Sequence, residues 1–244
     1  MYELTILIQG FPARSLSNGG LGWSTVSLLS NGEQHILVDT GGFGARTPLL
    51  NHLKKIGIHP EDISTILLTH SHWDHMVNWM LFPNADIVMG RAELEWALTH
   101  PSAQAHVSEL YVRELKVSSR LRLIEDGEEV LPNITAHLTP GHTPGHITFA
   151  VNNGEIDLVF AMDVAKNKAE LISRKADLTL DAGQSKHSID FVWRLWEKKS
   201  GSLIILGHDL PLVLDKGEIQ YSSKRIVKLD AIYGNDPDDF TTII

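Results

Sequence analysis

Hydrophobic residues run along this chain in short bursts separated by polar turn residues. Leu4–Ile8 and Ser24–Leu29 read as strands, and the second leads through Ser30-Asn31-Gly32-Glu33 into Gln34–Asp39. An Asn-Gly pair between two apolar runs predicts a hairpin, because both residues tolerate the positive φ of a tight turn. Leu49, Leu50, Leu53 and Ile56 recur at helical spacing within Thr47–Ile56, and Gly57 supplies the stop. Ile63–Thr69 reads as a buried strand with His70 at its C-terminal end. The pattern then predicts helix at Asp74–Leu81, strand at Ile87–Met89, helix at Arg91–Leu98 and an ambiguous, mainly helical stretch over His100–Arg120. Strands follow at Leu121–Ile124, Ile134–Thr139, Ile147–Val151, Leu158–Ala161 and Leu203–Leu206, with a helix at Ser188–Lys198. The polar tail from Tyr221 onward is expected to be partly loose.

Two blocks of strands, each followed by helices, predict a mixed α/β (α+β) fold in which two sheets pack face to face with helices outside. No repeat, low-complexity tract or Pro/Gly linker divides the chain, so a single domain over residues 1–244 is expected.

Composition narrows the partners. The chain is 43% hydrophobic and 21% charged, ordinary for a globular protein with a sizeable core. Thirty acidic against 21 basic residues give a net charge of −9, which repels phosphate backbones and anionic lipid. A small-molecule substrate is therefore expected, with no nucleic acid and no membrane partner. No stretch approaches the roughly 18 apolar residues of a membrane span. The N-terminal segment has no basic n-region and too short an apolar run for a signal peptide, so a cytoplasmic location is expected. Cys is absent, and any metal must be held by His, Asp or Glu.

The candidate chemistry lies where strand patterns end. His70-Ser71-His72-Trp73-Asp74-His75 follows one strand and opens a helix. On such a loop the alternating His70 and His72 can face one ion while Asp74 and His75 turn toward a second; hydrolytic two-metal centres hold their ions roughly 3.5–4 Å apart. A surface histidine cluster is the ordinary alternative. His142 sits in the Gly/Pro-rich loop Thr139–His146, which fixes its backbone path. His146 opens the next strand and reads as a core residue or a support rather than a ligand. Asp163 ends the apolar run Leu158–Met162, where a carboxylate is costly unless paired or metal-bound. His208 ends Ile204–Leu206 after Gly207. Ser185, His187 and Asp190 suggest a triad, but their spacing at a helix start fits a cap better.

Together these positions resemble the metallo-β-lactamase superfamily, with Val38-Asp39-Thr40-Gly41-Gly42 similar to its upstream Asp motif. The resemblance covers roughly residues 24–210. It implies a four-layer αβ/βα sandwich and two divalent metal ions, one held by His70, His72 and His142, the other by Asp74, His75 and His208, with Asp163 bridging. It further implies that Asp39 orients a ligand histidine. Zinc is the expected metal, and manganese or iron suits similar ligands. The implied activity is hydrolysis by a metal-bridging hydroxide, with Asp74 and Asp163 at the reacting centre and Asp74 handling the proton.

Among the branches, the chain resembles the compact group of lactonases and small ester, amide or thioester hydrolases. A phosphodiesterase or nuclease, and a metal-binding module without turnover, are the alternatives. Lactonases of this type often carry a Tyr shortly after the bridging Asp, whereas Val164-Ala165-Lys166-Asn167 follow Asp163 here. Lys166 is a candidate partner for a substrate carboxylate, with a solvated lysine as the alternative. Trp73 and Phe43, with Trp23, are candidates for an apolar pocket wall. Residues 100–120 are a candidate cap over the site or a homodimer contact.

Overall fold

The computed structural model describes residues 1–15, 19–99, 106–224, 226–232, 236 and 240–243. One mixed sheet contains β1 (Glu3–Ile8), β2 (Val26–Ser30), β3 (His35–Val38), β4 (Ile63–Leu67), β5 (Asp86–Gly90) and β6 (Leu121–Ile124), in that spatial order. The first two pairings are antiparallel and the rest are parallel. The second sheet contains β7 (Glu129–Leu131), β8 (Ile134–Leu138), β9 (Ile147–Asn153), β10 (Ile156–Met162), β11 (Leu203–Leu206), β12 (Leu212–Asp215) and β13 (Glu218–Tyr221), again in chain order. Only β10 and β11 pair in parallel.

Side-chain alternation along these strands builds the layers. Leu29, Ile36, Val38, Leu67 and Val88 of the first sheet meet Phe149, Phe160 and Ile205 of the second in one buried cluster. Their neighbours Leu28, Leu37, Ile66, Ile87 and Met89 point the other way, onto Leu49 and Leu53 of α1 (Arg46–Lys55), Leu94 and Ala97 in Arg91–Thr99, and Val112 and Leu115 in Glu109–Val117. On the far side, Val159, Ala161, Ile204 and Leu206 pack against Ile189, Val192 and Trp196 in Ala182–Trp196. The result is the expected helix–sheet–sheet–helix sandwich. No helix among the described residues is long and apolar enough to cross a membrane.

Several elements depart from the pattern for physical reasons. The helix expected over Asp74–Leu81 is one turn, α2 (Trp73–Met76), then a separate 3-10 turn at Trp79–Leu81. Neighbouring loops take the carbonyls that would extend it: Ser24 Oγ donates to Asp74 O, and Thr40 N and Oγ1 donate to His75 O. The Asn78 amide meanwhile donates to the carbonyls of Thr40, Gly41 and Gly42. The other α-helices among the described residues are α3 (Arg91–Thr99), α4 (Glu109–Val117), α5 (Lys168–Ser173) and α6 (Ala182–Trp196). Helix α6 starts before the expected Ser188, because the Asp181 carboxylate accepts from Gln184 N and caps it.

Of the ambiguous stretch 100–120, residues 100–105 lie outside the described residues. His106 and Val107 run against the His70–His75 loop, with Trp73 N donating to His106 O and Val107 bridging to His72. Within the tail, Leu229–Ile232 pairs with Phe240–Ile243.

Candidate metal centre

All seven sequence-predicted ligands meet beyond the C-terminal ends of strands. His70, His72, Asp74 and His75 follow β4, His142 lies in the β8–β9 loop, Asp163 follows β10 and His208 follows β11. Parallel neighbours leave such ends open as a crevice, because the connecting chain must cross to the next strand elsewhere. Asp163 is turned out of the sheet after Met162, whose φ is +42°, and the β10–β11 register shifts there. Gly207 makes room for it: a Cβ at that position would lie 1.9 Å from Asp163 Oδ1.

Within this crevice the donor atoms fall into two trios. His70, His72 and His142 bring one nitrogen each within 4.8 Å of the others, and Asp74, His75 and His208 do the same with a carboxylate oxygen and two nitrogens. Asp163 stands between them. Its Oδ2 is 3.1 Å from His142 Nε2, while Oδ1 is 3.2 Å from His75 Nε2 and 3.4 Å from His208 Nε2. Asp74 Oδ2 lies 3.4 Å from His208 Nε2.

The donors satisfy one another only in part: His142 Nε2 and His72 Nδ1 lie 2.9 Å apart as a hydrogen-bonded pair. His70 Nε2, His75 Nε2 and Asp163 Oδ1 are buried and make no aligned hydrogen bond. Buried polar atoms are rarely left so, since each costs about 1–3 kcal/mol. Unpaired nitrogen and carboxylate donors around a common centre are what divalent cations satisfy, so the residues present fit a pair of such ions.

Electrostatics sorts the trios. Burial pushes the His70 and His142 imidazoles well below their usual pKa and His72 down to about 4, leaving them neutral. Burial also pulls on His75 and His208, but Asp163 and Asp74 outweigh it and hold both above the usual histidine value. Burial alone would raise Asp163; His208, His75 and His142 together hold it well below the carboxylate range. In the second trio the carboxylates therefore draw protons onto His75 and His208, and a cation bound there would take the place of those protons.

Asp39 supports the centre from below. It is fully buried, and it accepts from Thr69 N at 2.8 Å, Thr69 Oγ1 at 2.8 Å and His75 Nδ1 at 2.7 Å. Burial raises its pKa against the pull of those donors. Because the Thr69 hydroxyl gives its proton to Asp39, it can only accept at its other contact, His70 Nδ1 at 3.1 Å. One carboxylate thus places a proton on Nδ1 of both His70 and His75 and turns both Nε2 atoms toward the centre, His70 with its lone pair free and His75 with one that a cation would expose by displacing the second proton.

His146 hydrogen-bonds through Nδ1 to Thr139 Oγ1 at 3.1 Å, and its ring lies 5.1 Å from His70, outside both trios. Burial lowers its pKa to about 3. Lys166 is neither solvated nor free: its ammonium is 3.2 Å from Glu170 Oε1 and also donates to Asp177 O. The Glu170 carboxylate already accepts from Lys166 N and Asp177 N, so a buried anion is in place to take that charge. Asp177 precedes Leu178, whose carbonyl contacts His142 Nδ1 at 3.1 Å. Ser185, His187 and Asp190 form no triad. Ser185 Oγ is bonded to Thr179 Oγ1 and Asp190 to Arg174, and Asp181, not Ser185, caps α6.

Trp73 and Trp23 line a cavity of about 580 Å³ together with Gly42, Pro48, Asp74 and Ile226. Phe43 is not among the lining residues; it packs edge-on against Tyr111 with ring centroids 5.6 Å apart. Sequence reasoning missed Thr69, Thr139 and Glu93, none of which carries a local signal beyond lying in or beside a strand end or helix start.

A model of the metallo-beta-lactamase superfamily matches residues 19–205. An N-acyl homoserine lactonase of a Bacillus species is 28% identical over 172 residues, 66% of this chain and 62% of the lactonase. The chain thus spans under two thirds of the length of that relative. A probable metallo-hydrolase of Methanocaldococcus jannaschii is 28% identical over 201 residues, 79% of this chain and 91% of the relative. Among solved structures, a putative metallo-beta-lactamase from Thermotoga maritima aligns with a TM-score of 0.69 at 23% identity, over 87% of this chain and 99% of the other. A Bacillus thuringiensis lactonase variant with N-decanoyl-L-homoserine bound at its active site aligns equally well, at 23% identity over 84% and 92% of the two chains.

Proposed function

The chain belongs to the metallo-β-lactamase superfamily of metallo-hydrolases, and we propose that it is a dinuclear enzyme that hydrolyses a small ester or lactone, with amides and thioesters as chemically adjacent substrates. In this reading His70, His72 and His142 would hold one ion and Asp74, His75 and His208 the other, with Asp163 shared between the two sets. Such ions, zinc foremost and manganese or iron with the same ligands, would supply a hydroxide near neutral pH and Lewis-acid polarisation of the scissile carbonyl.

The protein's own groups do the rest. Asp39 and Thr69 hold His70 and His75 in the tautomer that leaves Nε2 free. Asp74 is partly exposed and lines the cavity, which supports a role for its carboxylate in taking the nucleophile's proton and passing it to the leaving oxygen. Trp73 and Trp23 offer an apolar wall to the substrate's non-reacting arm. The reading includes one catalytic domain over residues 1–244 and a small-molecule substrate.

The observation that carries it is the set of buried, unpaired donors His70 Nε2, His75 Nε2 and Asp163 Oδ1 between the two trios. Metal analysis of the purified protein, then assay against lactones, thioesters, cyclic amides and phosphodiesters, tests it. Two ions per chain and loss of hydrolysis in His72→Ala and Asp163→Ala are expected. Fewer than one tightly bound ion per chain, or activity untouched by either substitution, refutes the mechanism; turnover of phosphodiesters alone moves the assignment to that class.

A further inference from the structure

Glu93 is a fully buried carboxylate that the proposed reaction does not use. It lies in the first turn of α3, where the exposed N–H groups of a helix start favour negative charge. Its Oε1 accepts from Ser71 N at 2.8 Å and Ser71 Oγ at 2.6 Å, its Oε2 accepts from Thr143 Oγ1 at 2.7 Å, and the backbone N–H of Gly145 also donates to it. All these donors are neutral, and a buried carboxylate held by neutral donors alone is costly to keep in a core. They also come from only two places. Ser71 lies between His70 and His72, and Thr143 directly follows His142.

We infer that Glu93 is a positioning residue that ties the two loops bearing the His70–His72–His142 trio into one rigid unit. This rests on the metal-centre reading above. The three histidines come from loops far apart in sequence, and without a tie each loop samples its own conformations. Glu93 fixes both to one helix end, with one carboxylate oxygen for each loop. Gly145 gives an independent sign of the same union: a Cβ there would lie 2.1 Å from Glu93 N and 2.4 Å from Glu93 Cα, so the loop backbone sits directly on the helix start.

The test titrates Zn²⁺ against a chromophoric chelator in the full-length protein and records the visible spectrum of the cobalt(II)-loaded form. Metal-free melting temperatures are measured alongside. Thr143→Val removes the side-chain half of the tie to the His142 loop, leaving only the Gly145 N–H, and keeps the shape of the side chain. It is expected to weaken one of the two ions about tenfold to a hundredfold and to change the cobalt spectrum, with metal-free melting close to wild type. Glu93→Ala is expected to do the same or more. Glu93→Gln keeps an acceptor for Ser71 and offers its amide to a reversed Thr143 hydroxyl, so affinity within about threefold of wild type is expected. Wild-type zinc affinity in both Thr143→Val and Glu93→Ala overturns the inference. So does a fall in metal-free melting with both ions weakened alike, which marks a general core fastener. Wild-type protein that binds no zinc overturns the proposed function and the tie together, whereas wild-type protein with two ions and indifferent variants overturns the tie alone.

Discussion

Replacing Asp39 by Asn tests the support beneath both trios. The side chain keeps its size, and Asn accepts the left-handed backbone at this position, φ +55°, as readily as Asp does. What changes is hydrogen-bond polarity. Its amide oxygen still accepts from Thr69 N, but the amide NH₂ now faces Thr69 Oγ1 and His75 Nδ1, both of which point protons at Asp39 in the native protein. Relief requires His75 to move its proton to Nε2, the atom 3.2 Å from Asp163 Oδ1, and frees the Thr69 hydroxyl to donate to His70 Nδ1. Each of those rings would then present N–H where a lone pair is needed. Loss of such a support costs about 10–100-fold in metal affinity, or about 1.4–2.7 kcal/mol. One mispaired buried donor adds about 1–3 kcal/mol to the metal-free protein's loss of stability. Chelator competition gives the first figure and denaturant unfolding of metal-free protein the second. Asp39→Ala should be less stable still, because it strands Thr69 N and puts Ala at positive φ, about 1–2 kcal/mol more. Metal affinity in Asp39→Asn within a factor of two of wild type would refute the tautomer argument.

Stripping metal with a chelator should lower the melting temperature. At a hundred times the dissociation constant, bound ion contributes about 2.7 kcal/mol, roughly 5–10 °C in a chain of this size; a melt indifferent to chelator contradicts the metal centre. Trp73→Ala removes part of the cavity wall and should raise KM for long-chain acyl substrates about 5–30-fold, from about 1–2 kcal/mol of lost apolar contact. Short-chain substrates should be little affected, and equal losses for both would remove Trp73 from the pocket. Lys166→Met leaves the Glu170 carboxylate buried without its cation and should cost about 1–3 kcal/mol of stability, with kcat falling less than tenfold. A hundredfold fall in kcat with stability intact would show that the ammonium acts on substrate.

Much of the centre was legible because its chemistry is written locally. His70-x-His72-x-Asp74-His75 is contiguous, and His142, Asp163 and His208 each interrupt an apolar run where an unpaired polar group is costly. Two blocks of apolar runs, each followed by helices, foretold two sheets with helices outside and so the four layers, in which Leu28 and Leu29, or Ile36 and Leu37, face opposite ways. The short helix α2 was not legible, because its carbonyls are taken by Ser24 and Thr40, dozens of residues upstream. In the sequence Lys166 reads as a partner for a substrate carboxylate or as a solvated cation, and only the fold shows it held by Glu170 and the Asp177 carbonyl.

The sequence by itself therefore determined the candidate ligand types, their order and the sheets that carry them, since periodicity and the cost of burying a charge act on neighbouring residues. Only the tertiary structure decided which oxygen of Asp163 faces which trio, which nitrogen of His70 and His75 keeps its proton, and that Glu93 joins two loops. Those outcomes depend on hydrogen bonds between segments distant in sequence, and such bonds have a direction and a length only once the sheets have packed.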